Sequence, residues 1–342
     1  MSERIDRKRR GLLLATTVFT AGALLPDTAL AQAKEHTPAL VKPVIAQSEP
    51  ETVRIAFQKS SPNAAVLKQR GVLERRFKNV VWLEFPAGPQ LLEALAVGSA
   101  DIGVVGDSPP IFAQAAGKEL LYVGVEPPRP DASAVLVRKD SPIRSVAELK
   151  GRRIAFQKGS SAHYLTVRAL EQAGLQLSDV QVSYLTPAEA RAAFERGSVD
   201  AWTVWDPYYA AAELQGVARA LYTGRDAGVN NNAFFLASKA FAAKYPHTIL
   251  ALLEEFSSND AFLHEQRAEA VALYAAFSGL PSEVVNLVFE RRPRAPIRPL
   301  SAEVVQDQQR IADTFHRLNL IPRAIRIADV VWRPGPARAA QQ

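Results

Sequence analysis

The 342-residue sequence contains no cysteine. Disulfides, thiolate metal sites, a catalytic thiol and a lipid-anchored N-terminal cysteine are therefore excluded. The five histidines (His36, His163, His247, His264, His316) are scattered, with no metal-ligand spacing. There is no Gly-x-Ser-x-Gly elbow and no dinucleotide fingerprint, so no cofactor is expected. Gln157-Lys158-Gly159-Ser160-Ser161 resembles a phosphate loop only superficially, because the lysine precedes the glycine. No run of basic residues is interleaved with aromatics. The formal net charge of +6 is mild for this length, and nucleic acid is not an expected partner.

With 48% hydrophobic and 22% charged residues, the composition is that of a globular protein with chain enough for two cores. The N-terminus reads differently. MSERIDRKRR is a basic segment, GLLLATTVFTAGALL an apolar one, and ALAQA supplies small residues for cleavage after Ala31 or Ala33. The apolar run is too short for a membrane span. Residues 1–31 are expected to be a signal peptide. It is of the ordinary secretory kind or, from Arg9-Arg10, of the twin-arginine kind. Residues 32–51 are polar and broken by proline, and read as a loose leader.

From Thr52 apolar strand patterns alternate with helical ones, which argues for parallel βαβ units. AAVLKQRGVLERRF reads as one amphipathic helix within the first of them. The pattern then restarts. Ile-Ala-Phe-Gln-Lys at 55 recurs at 154, Gly-Ser-Ala-Asp at 98 returns as Gly-Ser-Val-Asp at 197, and Asp107 becomes Asp206. Each offset is 99 residues. Pro86-Ala87 recurs as Pro187-Ala188, two positions late. One fixed offset at three separated anchors implies two α/β lobes built on one supersecondary unit. A helical C-terminal region follows from Lys239.

Ligands of open α/β sheets bind outside the carboxyl ends of the strands. In the first lobe that edge carries Gln58-Lys59-Ser60-Ser61 and Gly106-Asp107-Ser108. In the second it carries Gln157-Lys158-Gly159-Ser160-Ser161 and Trp205-Asp206-Pro207. Serine hydroxyls and free N–H groups at helix N-termini suit a small anion, without requiring a buried lysine or arginine. Plainer readings stand beside this one. Ser160 or Ser161 can cap the following helix, and Asp206-Pro207 reads as an N-cap before a first-turn proline. Lys59 and Lys158 fit either an anion contact or a solvated loop. Trp202 and Trp205 point to opposite faces of one strand, and Trp205 is the one expected at the cleft.

WLEFPAGPQLLEAL, GSADIGVVGDSPPIFAQAAG, LYVGVEPPRP, AFQKGSSAHYLTVRALEQAGL, YLTPAEARAAF and VDAWTVWDPYYAA together resemble the aliphatic-sulfonate-binding proteins of bacterial ABC importers. The resemblance spans about residues 52–332. It implies a type II periplasmic binding fold. Residues 52–132 with 229–332 would form lobe one and residues 133–228 lobe two, with crossings near 130–135 and 227–234 and a disordered tail at 333–342. It further implies capture of an alkanesulfonate by a monomer in the periplasm and delivery to an inner-membrane ABC permease, with no chemistry done on the ligand. Carried onto this sequence, the expected contacts are Gln58, Ser60, Ser61, Gly106, Asp107, Ser108, Ser160, Ser161, His163 and Trp205, with Asp131 and Ser133 at the first crossing. The alternatives are taurine, nitrate or another small oxyanion as ligand, or an enzyme on the same fold resembling a pyrimidine-precursor synthase.

Overall fold

The structure is a computed structural model that describes residues 49–294 and 296–334. The expected signal peptide, most of the leader and the tail beyond residue 334 lie outside the described residues.

The first unit runs β1 (Val53–Gln58), α1 (Pro62–Gln69), α2 (Val72–Arg76), β2 (Val80–Phe85), α3 (Gly88–Ala96), β3 (Ile102–Gly106), α4 (Ser108–Ala115) and β4 (Leu120–Val125). The single helix expected over the first connection is two helices. They break at Gly71, whose φ of 59° lies in the left-handed region. The chain then crosses to β5 (Ser133–Arg138), β6 (Arg153–Phe156), α5 (Ser161–Gln172), β7 (Gln181–Tyr184), α6 (Pro187–Glu195), β8 (Ala201–Trp205), α7 (Tyr208–Leu214) and β9 (Ala218–Thr223). It returns to β10 (Ala233–Ser238), followed by α8 (Lys239–Lys244), α9 (Pro246–Glu265), α10 (Arg267–Ser278), α11 (Ser282–Glu290) and α12 (Ala302–Arg317).

The two sheets have the orders β2-β1-β3-β10-β4 and β7-β6-β8-β5-β9. Central strands such as β1 and β8 are buried along nearly their whole length, which is why they are continuous apolar runs rather than alternating ones. The sheets match strand for strand. Ile55 pairs with Ile102 as Ile154 pairs with Ala201. In each sheet one strand, β10 or β5, runs antiparallel to its neighbours and follows a crossing. Helices α3 and α6 begin 99 residues apart, at Gly88 and Pro187. The Pro-Ala pair that seemed two positions late is thus not an equivalence. Pro86 precedes the N-cap Ala87, whereas Pro187 opens α6 behind the capping box of Thr186 and Glu189.

The crossings occupy residues 126–132 and 224–232. The C-terminal helices touch both lobes. Phe315 of α12 packs on Phe112 of α4 and on His163 and Tyr164 of α5. Ala210 and Ala211 of α7 share an apolar cluster with Val284, Val285 and Val288 of α11.

Candidate functional site: a cavity between the lobes

The carboxyl ends of β1, β3 and β8 converge on one cavity of about 70 Å³. That is room for about five or six water-sized groups. A compact headgroup fits such a space, and a long tail has to leave it. The walls come from Gln58 at the end of β1, from Ser60 to Asn63 at the start of α1, and from Val104 to Gly106 at the end of β3. Lobe two adds Ser161, Trp205 and Asp206. The crossings add Glu126, Arg129, Ala132 and Asn231, and the C-terminal region adds Val288 and Arg292.

The lobes meet around this space. Trp205 Nε1 donates to Ser60 Oγ at 3.2 Å. Arg291, just beyond α11, donates to Asp206 Oδ1 at 3.1 Å and pairs with Glu213 of α7. Gly106 lies so close to lobe two that an added Cβ would stand 2.1 Å from Ser161 Oγ. Glycine at 106 is therefore a condition of that approach.

A buried ion network forms the lobe-one wall. Arg292 contacts Asp260 at 2.7 Å and Glu126 at 3.0 Å, and Arg129 Nη2 lies 3.5 Å from Glu126. Burial pushes the Glu126 carboxyl up, but the Arg292 and Arg129 guanidinium groups outweigh it and hold it below the usual range. The second crossing clamps the Arg129 backbone of the first. Its N–H donates to Asn230 O at 2.8 Å, and its carbonyl accepts from Asn231 Nδ2 at 3.1 Å. Asn231 takes a left-handed φ of 49°, a conformation asparagine tolerates better than most residues. Asp206 is buried, and burial raises its carboxyl to about 7 against the opposing pull of Arg291 and the Ala210 N–H.

Six of the twelve expected residues line the cavity: Gln58, Ser60, Ser61, Gly106, Ser161 and Trp205. The other six stand elsewhere, each for a local reason. Ser160 is the N-cap residue of α5, but its Oγ turns back to donate to Gln157 O at 2.8 Å, so the hydroxyl makes no cap bond and does not reach the cavity. Asp107 is buried behind the wall, where it accepts from Ser108 Oγ at 2.9 Å and its carbonyl accepts from Gln308. Ser108 is buried beside it in the first turn of α4. His163 lies wholly buried, its Nδ1 accepting from Gly159 N at 3.3 Å, stacked between Phe112 and Phe156. Burial and the nearby Lys158 charge push its imidazole down to about 4. Asp131 is spent on an exposed ion pair with Arg225 that links the two crossings. Ser133 begins β5, its carbonyl accepting from Gly224 N at 2.9 Å.

Other expectations change as well. Lys59 and Lys158 are exposed and line nothing. Trp202 packs in the lobe-two core while Trp205 walls the cavity, as opposite faces require. Asp206 belongs to the cavity and is not the N-cap of a helix opened by Pro207. Helix α7 starts at Tyr208, and Asp206 Oδ1 accepts from Ala210 N at 2.9 Å. Arg129 and Arg292 also line the cavity, although the serine and backbone donors did not require a buried arginine. One sign of them was available in the sequence. Glu126-Pro-Pro-Arg129 directly follows the buried strand LLYVGV, so charge stands at a carboxyl strand end. Arg292 and Asn231, far along the chain, carried no such sign.

Fold and site together define a two-lobed type II periplasmic binding protein, with its cavity closed between equivalent edges of two sheets. A family profile described as "NMT1/THI5 like" matches residues 81–270. The putative aliphatic sulfonates-binding protein of Escherichia coli is 50% identical over 293 residues, covering 85% of this chain and 92% of the relative. The alkanesulfonate-binding protein SsuA of Xanthomonas axonopodis pv. citri, solved bound to MOPS, superimposes with a TM-score of 0.82 at 47% identity. It covers 84% of this chain and 100% of its own. The periplasmic aliphatic sulphonate binding protein SsuA of E. coli gives a TM-score of 0.79 at 49% identity, covering 86% and 96%. The chain belongs to this family, the NMT1/THI5-like proteins of the aliphatic-sulfonate-binding branch. These relatives are binding proteins rather than enzymes.

Proposed function

We propose that the protein captures aliphatic sulfonates in this cavity and hands them to an inner-membrane ABC permease, supplying sulfur. The observation that carries the reading is the set of donors around one small space between the lobes. Gln58, Ser61, Ser161, the Ser60 hydroxyl proton and the N-termini of α1 and α5 surround it, with the Arg129 guanidinium beside them. A sulfonate is ionised throughout the physiological range and offers only acceptors. Donors in fixed positions are therefore its natural partners.

The magnitudes agree. A hydrogen bond to a charged group contributes roughly 1.5–3 kcal/mol. Micromolar affinity corresponds to about 8 kcal/mol. A handful of such bonds suffices after ordering costs. The protein performs no chemistry on its ligand and works as a monomer. It acts in the periplasm, reached through the signal in residues 1–31. The names of the sulfonate-binding relatives of E. coli and X. axonopodis, one of them called periplasmic, support the binding and periplasmic parts of that reading.

Calorimetry on protein unfolded and refolded to strip carried ligand tests it, with ethanesulfonate, octanesulfonate, nitrate and sulfate as titrants. Binding of the sulfonates in preference to nitrate and sulfate is expected. Clear nitrate binding with no response to either sulfonate would overturn the assignment.

A further inference from the structure

Arg291 and Arg292 stand side by side at the end of α11, yet they bind opposite lobes. Arg292 turns into lobe one, onto Asp260 of α9 at 2.7 Å and Glu126 at 3.0 Å. Helix α9 is itself fixed to that lobe. Asn63 Nδ2 of α1 donates to Phe256 O at 3.0 Å, and Asn259 Nδ2 of α9 donates to Asn63 Oδ1 at 2.8 Å. Arg291 turns the other way. Its Nη1 donates to Asp206 Oδ1 at 3.1 Å, its Nη2 pairs with Glu213, and its guanidinium lies 3.9 Å from the centre of the Tyr209 ring. All three partners belong to lobe two, Asp206 at the end of β8 and the other two on α7.

A guanidinium is planar, carries several donors and stacks on aromatic rings, so one side chain can hold two carboxylates and a ring at once. Binding proteins of this fold close hinged lobes around a ligand. A contact favours the closed form only by what it gains there and lacks in the open one. Arg292 keeps Asp260 in both forms, because both move with lobe one. Arg291 loses all three partners when the lobes part. Other contacts between the lobes are weaker or wetter. Trp205 gives Ser60 a single hydrogen bond at 3.2 Å. Arg317 of α12 reaches Glu171 of lobe two, but its side chain is 59% exposed and solvent replaces most of what that pair loses. The Arg291 side chain is 13% exposed.

We infer that Arg291 is a closure clasp. It docks on Asp206, Glu213 and Tyr209 when the lobes meet, holds the closed form, and so sets how long a captured sulfonate stays. It does this without lining the cavity. Arg292, buried in lobe one, is its anchor. The inference rests on the sulfonate reading for its ligand and on the ion pairs for its mechanism.

Exchange of ethanesulfonate on refolded full-length protein, followed by stopped-flow tryptophan fluorescence, tests it. Arg291→Met should raise the dissociation rate about tenfold and change the association rate less than about threefold, because a clasp acts after capture. Glu213 lies outside the cavity and is partly exposed, so Glu213→Gln carries the test if Arg291→Met fails to fold. It should raise the same rate about threefold, and the double variant should match Arg291→Met within about twofold, since both act through one contact. Separation of the lobes is read from spin labels on Ser99→Cys and Ser198→Cys, equivalent exposed positions in a chain without cysteine. With saturating ethanesulfonate, Arg291→Met should populate a second distance that the parent lacks, and without ligand it should lower the closed fraction. A dissociation rate unchanged by Arg291→Met, or one raised with no second distance and no response to Glu213→Gln, would overturn the clasp and leave sulfonate binding standing. If the parent binds no ethanesulfonate, the sulfonate reading falls. The clasp falls with it only if the ligand-free distances of parent and Arg291→Met also coincide.

Discussion

The two lobes are alike where the strands begin and different where they end. At the amino edge the likeness extends to individual bonds. Arg54 donates to Asp101 through its backbone N at 2.8 Å and its Nε at 3.1 Å, and its guanidinium reaches Gly98 O at 2.7 Å. The residues 99 positions later repeat it. Arg153 donates to Asp200 at 2.9 and 3.1 Å and to Gly197 O at 3.1 Å. At the carboxyl edge the equivalence stops. The first lobe holds open donors and a buried ion network. The second places one serine, a tryptophan and an acid at the cavity, and tucks its histidine into an aromatic stack. The scaffold has been kept and the mouth rewritten, so one jaw grips and the other closes.

The sharpest way to break this comparison is through the network that lobe one alone possesses. Arg292→Met leaves Asp260 without its guanidinium in a buried site and should destabilise the protein by about 3–5 kcal/mol, read from denaturant midpoints. Arg129 still compensates Glu126, so Asp260 is the acid left unpaired, and Asp260→Asn added to Arg292→Met should recover part of the loss. A loss below about 1 kcal/mol would mean the network does not hold the wall.

His163 is the corresponding lever in lobe two. Its pKa is lowered on folding, to about 4. The unfolded chain therefore takes up its proton first, near the ordinary value of about 6.5. Stability should fall as pH drops through that window and level off below about 4, by on the order of 3 kcal/mol in all. His163→Phe fits between Phe112 and Phe156, and the slope of stability between pH 6.5 and 4 should flatten in that variant. An unaltered slope would assign the acid sensitivity to other groups.

The loop of lobe two offers a finer test. Ser161→Ala should weaken sulfonate binding by roughly 1–3 kcal/mol. Ser160→Ala should not, because that hydroxyl is spent on Gln157 O. Equal losses at 160 and 161 would mean that the loop rearranges around the ligand.

That pair also shows how much the sequence could reveal. The repeat was legible because 99 residues separate equivalent strands, helices and turns alike, and a sequence offset needs no side-chain geometry. Half of the expected contact residues reach the cavity, as the rule about carboxyl strand ends requires. The rest depended on rotamers and on distant chain. Ser160 and Ser161 are indistinguishable as letters, yet one hydroxyl turns inward and the other stands against Gly106. In the structure Gly159 takes a left-handed φ of 72°, and the helix it introduces brings only Ser161 to the cavity. Arg292 lies 186 residues beyond Gly106, and no local pattern joins them.

The smallest expected effect tests the part of the molecule the lobes share. The two Arg-Asp staples have the same bonds but not the same surroundings. The Asp101 side chain is 6% exposed and that of Asp200 19% exposed. A carboxylate withdrawn from water depends more on its bonded donors, whereas solvent replaces part of what an exposed one loses. Asp101→Asn should therefore cost about 1 kcal/mol, and Asp200→Asn measurably less. Neither should alter sulfonate affinity, because both staples lie at the edge opposite the cavity. Thermal melts of the two variants side by side, each with a binding isotherm, decide it. If Asp200→Asn proves the more damaging, burial is not what separates the lobes at this edge. If either variant weakens binding, the amino edge is coupled to the mouth and the two halves of each lobe are not independent.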